Sequence, residues 1–252
     1  MLLGDRLDEL RKNILRDRSA LVAGPTDSLW TDDTLLRYIR EAERKFARQT
    51  LCIRDSTTPS ICTFPIKQGV VTYPLHKSVI SVISSKFDTD TFDIQRSGHA
   101  LVLQFTPAEY FTYDPTTGYK AQPGRPIAYM TDETTVFNNQ RAVTYTVYPL
   151  PSNVEDGKYI QMRVIRYPIG DYSIDNLDEE SEIPEDYQLD CLQWAAYRAM
   201  MNHDADAGDS VKADNHKAAF DRAVDECKLE NKRTMFANTT MRYGSLGTNY
   251  TR

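Results

Sequence analysis

The 252-residue chain is 40% hydrophobic and 26% charged, the balance of an ordinary globular protein, and is long enough for one large domain or two small ones. Its net charge of −6 argues against a dedicated nucleic-acid binder, whose phosphate contacts need a basic face. No run approaches the roughly 18 apolar residues of a membrane span, and Asp5, Asp8 and Glu9 break any signal-peptide core, so the chain is expected in a cytoplasm with its four cysteines reduced.

The first segment reads as a helix, because Leu3, Leu7, Leu10 and Ile14 fall on one stripe. Gly24-Pro25 ends anything helical before the next element. A second helix starts at Thr31, an N-cap followed by Asp32 and Asp33, where the helix dipole favours anions. Trp30 and Leu35 have the spacing of a hydrophobic staple, while Thr34 stands where a full capping box has Glu or Gln. Leu35, Ile39, Ala42 and Phe46 form its buried stripe, and Arg37, Glu41 and Lys45 are expected to pair along its outside.

From Ile61 to about Tyr167 the pattern changes to short β-rich runs separated by turn residues. Examples are Val70–Leu75, Val79–Ile83, Leu101–Phe105, Ala142–Val147 and Tyr159–Ile165. Alternation is clearest at Val143, Tyr145 and Val147, which puts Thr144 and Thr146 on the other face. Pro107 to Tyr113 is expected as a single helical turn, and Gly124-Arg125-Pro126 and Tyr148-Pro149-Leu150-Pro151 as turns that position strands. Runs this short and regularly punctuated predict a small antiparallel sandwich or barrel.

Between Asp171 and Asp186 there are eight acidic residues and no basic one, a loop that returns the chain to helices. Pro184 suits a first helical position. The helix that follows is apolar on two faces: Leu192, Ala195, Ala196 and Ala199 make a small-residue stripe, and Trp194, Tyr197 and Met201 a bulky one. Such a helix must be covered on both sides, and the N-terminal helices are its natural cover. A last helix runs from about Asp209 to Phe236, with Phe220, Val224 and Cys227 on one stripe and His216 on its exposed side. From Asn231 to Arg252 there are four basic residues and no acidic one, and nothing in residues 237–252 could bury itself. Together these readings predict an α+β chain. N- and C-terminal helices (1–50 and 171–236) form a helical bundle, with an inserted antiparallel β-sandwich or barrel (51–170) and an extended C-terminal arm (237–252).

No catalytic set emerges. His203, Asp204 and Asp206 hold an His-Asp pair that binds metal in some phosphohydrolases, but that chemistry needs further His and Asp ligands on neighbouring helices, and His76, His99 and His216 lie elsewhere. An EF-hand through Asp204, Asp206 and Asp209 fails because Gly208 precedes Asp209 where the calcium loop needs the reverse order. The sequence has no GxSxG, no phosphate-cradling glycine loop and no cysteine pair at zinc spacing. No catalytic, metal or cofactor site is therefore assigned.

The order of several motifs resembles the head-to-tail adaptor proteins of tailed bacteriophages. Trp30-Thr31-Asp32-Asp33, Tyr38-Ile39-Arg40-Glu41-Ala42 and Phe46-Ala47 look like their opening helix. Gly69-Val70-Val71-Thr72-Tyr73-Pro74-Leu75, Gly124-Arg125-Pro126-Ile127-Ala128-Tyr129 and Tyr148-Pro149-Leu150-Pro151 look like their middle. Ile183-Pro184-Glu185-Asp186-Tyr187, Trp194-Ala195-Ala196-Tyr197 and the Phe220 helix look like their end. The resemblance implies a non-enzymatic virion protein, assembled in the host cytoplasm, in a ring of about twelve copies closed by head-to-tail contacts. Such a ring sits below the portal, joins capsid to tail through nozzle, tube or fibre proteins, and passes DNA through its channel without sequence-specific binding or any membrane contact. On the arm, Arg242, Tyr243, Tyr250 and Arg252 are the expected anchors to the portal, since Arg and Tyr are enriched at binding hot spots. Two other readings stay open: a different tail or nozzle protein of the virion, and a cytoplasmic enzyme or ligand-binding β module with polar groups converging around Tyr110, Tyr113 and Tyr129.

Overall fold

The computed structural model describes residues 1–17, 29–87, 99–103, 123–137, 140–201 and 210–238. The chain is α+β and divides into two compact units, Met1–Cys52 with Gly170–Arg252, and Ile53–Ile169.

The first unit is helical. Helix α1 (Leu3–Glu9) runs directly into a π-helical turn, Leu10–Ile14, closed by the i→i+5 bond from Leu15 N–H to the Leu10 carbonyl at 2.9 Å. The wider turn changes the phase of the predicted stripe. Leu3, Leu7 and Leu10 are buried as expected, but Arg11 rotates inward and Ile14 is only half-buried. The first free N–H groups of α1 are satisfied from outside the helix: Leu3 donates to the Glu179 carbonyl and Gly4 to the Leu177 carbonyl, both at 2.8 Å. The acidic loop is thereby fastened to the start of α1.

Helix α2 (Asp32–Thr50) begins at the predicted cap, where Thr31 Oγ1 accepts from Thr34 N–H at 3.3 Å. It ends in a left-handed residue, Leu51 (φ 56°), whose N–H returns to the Ala47 carbonyl. Leu35, Ile39, Ala42 and Phe46 are fully buried. Pro184 precedes a short 3-10 turn, Glu185–Tyr187, that leads into α4 (Gln188–Met201); α3 is a single turn in the second unit. Helix α5 (Ser210–Asn238) buries Phe220, Val224 and Cys227, the predicted stripe. Phe46 packs between Tyr187 (centroids 5.5 Å apart) and Phe220 (6.0 Å, edge-on), and Trp194 lies 5.5 Å from Phe220, so α2, α4 and α5 share one aromatic centre.

The two faces of α4 have different fates. Leu192, Ala195, Ala196 and Ala199 are fully buried. Along the bulky stripe burial falls away: Trp194 is buried, Tyr197 half-buried and Met201 53% exposed. The second apolar face is therefore core at its start and surface at its end.

The second unit contains β1 (Arg54–Asp55), α3 (Pro59–Cys62), β2 (Thr63–Pro65), β3 (Thr72–Pro74), β4 (Val79–Phe87), β5 (His99–Leu103), β6 (Ala128–Phe137), β7 (Gln140–Tyr148) and β8 (Tyr159–Arg166). The strand order is β1-β8-β4-β5-β6-β7-β3, with β2 also paired to β8. Every pairing is antiparallel except β5 with β6, which is parallel. Phe87, Tyr129, Tyr145, Val147, Ile160, Met162 and Val164 belong to one buried cluster, so β4 and β8 share a core with β6 and β7.

Strand β6 lies within the predicted β-rich region, outside the runs named individually. Asp132 and Glu133 interrupt its apolar pattern, and its register with β7 shifts between Asp132 and Thr135. Thr146, on the face opposite Tyr145 and Val147, is also buried and lies against Thr72 of the neighbouring β3, with the two hydroxyls 3.4 Å apart. The predicted turn at residues 107–113 and the arm anchors at 242, 243, 250 and 252 lie outside the described residues.

Candidate functional site

The most heavily desolvated polar constellation of the helical unit centres on Arg6 and Glu43, whose side chains are 1% and 2% exposed. Arg6 falls on the apolar stripe of α1 between Leu3 and Leu7, and Glu43 lies on the buried side of α2 between Ile39 and Phe46. The guanidinium donates to Glu43 Oε1 and to the Glu179 carbonyl at 3.3 Å. Glu43 also accepts from the Tyr172 hydroxyl and from Ser181 Oγ at 2.8 Å. Burial and the neighbouring Glu43 charge push the Tyr172 hydroxyl far above its ordinary range, so it stays a donor at any physiological pH. The network ties α1 and α2 to the acidic loop at three points. Every partner it uses is internal, which makes it a fastening and not a reaction centre.

A second cluster fixes the chain leading into α2. Arg11 reaches Asp17 Oδ2 at 3.2 Å, the Trp30 carbonyl at 3.0 Å, and Asp32. Trp30 donates its indole N–H to the Ala199 carbonyl at 3.2 Å, pinning the entry to α2 against the last turn of α4. Glu41, expected to pair along its own helix, takes partners from α4 instead: Arg198 Nε and Trp194 Nε1, both at 3.2 Å. Lys45 Nζ lies 3.1 Å from the Trp194 ring centroid, and burial lowers its pKa. The Trp194 face is thus covered by a cation of the same chain and is not an open ligand platform.

Three buried thiols, Cys62, Cys191 and Cys227, are equally inert. Cys227 is pushed far up by its hydrogen bond with Cys52 and by burial, and Cys191 is pushed well up by burial. Cys62, in the β unit, rises to about 11 through burial and the nearby Asp55 charge. Thiols held protonated at neutral pH are poor nucleophiles and poor metal ligands. Among the described residues no group of three or more His, Cys, Asp or Glu is placed to hold a metal ion.

In the β unit Asp55 and Arg166 form a buried pair at 2.6 Å that joins β1 to β8. Burial alone would raise the Asp55 carboxyl. Hydrogen bonds from Thr58, Thr57 and Arg166 outweigh it and hold the group well below the usual carboxylate range. Tyr129, suggested above as part of a pocket, is 1% exposed and stacks on Tyr145 with centroids 5.0 Å apart. Tyr145 in turn donates to Ser85 Oγ at 2.6 Å. The open hollow lined by Ser84, Ser85, Lys86, Gln161 and Arg163 has that engaged serine in its wall, and no histidine or carboxylate lines it as a base.

The remaining predicted residues scatter. His76 shares its Nδ1 with Ser78 Oγ at 2.7 Å. His216, expected to be exposed, is half-buried and hydrogen-bonded to Gln193 Oε1 at 2.6 Å, because its turn of α5 packs on α4. His203, Asp204, Asp206, Asp209, Tyr110 and Tyr113 lie outside the described residues, as do Arg242, Tyr243, Tyr250 and Arg252. The Arg6–Glu43 network went unread in the sequence, although Arg6 and Glu43 interrupting otherwise apolar helix stripes was the available signal. No helix among the described residues is long and apolar enough to cross a membrane.

The model of the SU10 adaptor protein family matches residues 3–243, nearly the whole chain. No curated protein matches it. The chain belongs to the SU10 adaptor protein family, a family of adaptor structural proteins.

Proposed function

We propose that this member of the SU10 adaptor protein family is a head-to-tail adaptor of a tailed bacteriophage, a virion component and not an enzyme. Copies of the chain form a ring of about twelve below the portal, joined head to tail and closed by rotation. The ring extends the DNA channel and joins the capsid to nozzle, tail-tube or fibre proteins. DNA passes without sequence-specific contact, in keeping with the chain's net charge of −6. The observation that carries this reading is the family match over residues 3–243. Supporting it, the most desolvated ionic groups of both units are spent on internal fastening, as a load-transmitting part requires.

In this reading residues 1–50 and 171–236 act as one domain, residues 51–170 as a second, and residues 237–252 as an arm that docks on the portal. Arg242, Tyr243, Tyr250 and Arg252 are its anchors, offering guanidinium and phenol groups suited to a partly desolvated interface. Native mass spectrometry of the chain with and without portal protein tests the assignment. The expected result is a ring joined to the portal, lost when residues 237–252 are deleted. A full-length chain with no affinity for the portal overturns the adaptor reading, and undiminished binding by the truncated chain overturns the role of the arm.

A further inference from the structure

Helix α2 carries an arginine ridge on its solvent side. Arg37, Arg40, Arg44 and Arg48 are all exposed and recur once per turn over about 16 Å of helix. Arg40, Arg44 and Arg48 stand at successive i,i+4 positions, where like charges cost the isolated helix about 0.2–0.5 kcal/mol per pair. A helix with a dense cationic ridge of this kind, in a chain of net charge −6, carries a local charge opposite to the protein's own. Guanidinium groups are also suited to pairing with carboxylates in bidentate fashion.

The same unit presents the complementary surface. In the loop fastened to α1, Asp171, Asp175, Asp178, Glu180, Glu185 and Asp186 are exposed, with no basic residue between them. Its backbone is held by the Leu3 and Gly4 amides and its Ser181 and Tyr172 side chains by Glu43, so these carboxylates ride on a fixed segment. A prefixed acidic strip loses little conformational entropy on docking.

We propose that the α2 arginine ridge of one copy receives the acidic loop, residues 171–186, of a second copy. The contact joins two different surfaces, so each copy offers one of each and association continues until a rotation closes it. The inference rests on the adaptor reading for the existence of a self-assembly and assigns the surfaces that make it. Neither ring size nor portal binding enters it.

Reciprocal charge reversal tests the pairing. Sedimentation velocity at low ionic strength is expected to show the unaltered chain associating at its highest soluble concentrations and dissociating as salt is added. The variant Arg40→Glu/Arg48→Glu and the variant Asp175→Lys/Glu180→Lys should each remain monomeric. Mixed in equal amounts they should associate again, since the unaltered ridge of the loop variant meets the unaltered loop of the ridge variant. Far-ultraviolet circular dichroism confirms that both variants are folded, the changed residues being exposed. An unaltered chain that stays monomeric under these conditions overturns the proposal, as do variants that associate undiminished or a mixture that fails to recover. Duplex DNA binding by the unaltered chain, lost with Arg40→Glu/Arg48→Glu while self-association persists, assigns the ridge to nucleic acid instead. Ridge variants that still join the portal as a ring overturn this inference and leave the adaptor reading standing. A chain without portal affinity whose two variants still rescue each other overturns the adaptor reading and leaves this pairing standing.

Discussion

Replacing Glu43 with alanine isolates the Arg6 guanidinium in a site where it is 1% exposed. Breaking a buried ion pair from one side costs about 3–5 kcal/mol, because the remaining charge keeps its desolvation penalty and loses its compensation. The Tyr172 and Ser181 hydroxyls lose an acceptor as well. Ser181 can turn to water at the loop surface, and the Glu179 and Leu2 carbonyls still accept from Arg6, so the contributions do not add in full. The expected loss is about 4 kcal/mol, a large part of the roughly 5–15 kcal/mol that holds a typical domain folded. Both tryptophans of the chain, Trp30 and Trp194, lie in the helical unit, so urea unfolding followed by tryptophan fluorescence reads that unit. With a slope of about 2 kcal/mol per molar, the midpoint should fall by about 2 M. The paired replacement Arg6→Met/Glu43→Leu should cost less than Glu43→Ala alone, since it removes both charges and fills the space with apolar atoms. A midpoint shift under about 0.5 M for Glu43→Ala, or a paired variant worse than the single one, refutes the account of a desolvated fastening.

Phe220→Ala should cost about 3–5 kcal/mol by the same assay, because its ring is fully buried and contacts both Phe46 and Trp194. The folded-state tryptophan emission should also shift to the red as water reaches the vacated space. In the β unit, Asp55 has a folded pKa depressed below its unfolded value, so its contribution is complete above about pH 4 and is lost as pH falls through the folded value. Hydrogen exchange of β8 amides should accelerate below about pH 4 relative to the intrinsic rate in the native chain. Asp55→Asn should already exchange faster at neutral pH and show little further acid dependence. An acid profile in β8 identical for the two proteins removes Asp55 as its source.

The local elements were largely legible from residue pattern. The Thr31 cap, the Leu35–Phe46 stripe, the alanine stripe of α4 and the Phe220–Cys227 stripe all occur where the spacing puts them, because a helix maps a repeat of three and four residues onto one face. The π-helical turn was not legible: nothing in Leu10–Ile14 marks an i→i+5 bond, and it turns Arg11 inward where the simple repeat puts Ile14. Strand β6 lies inside the predicted β-rich region but shows no clear alternation, because Asp132 and Glu133 interrupt it. As for the site, its anchors at 242, 243, 250 and 252 were chosen by residue type alone, whereas the Arg6–Glu43 network needed a contact 37 residues apart and three more with the loop.

The stripes of α2, α4 and α5, the Thr31 cap and the α+β class are properties of neighbouring residues, and the sequence by itself determined them. Choice of partner was decided only in three dimensions. Glu41 faces Arg37 and Lys45 along its own helix, yet pairs with Arg198 and Trp194 because α4 packs alongside. Tyr129 has the composition of a pocket residue and becomes core because Tyr145 stacks on it from the next strand. The physical reason is common to both: a side chain's local geometry is set within a few residues, while its desolvation and its charge partner depend on which distant segment covers it.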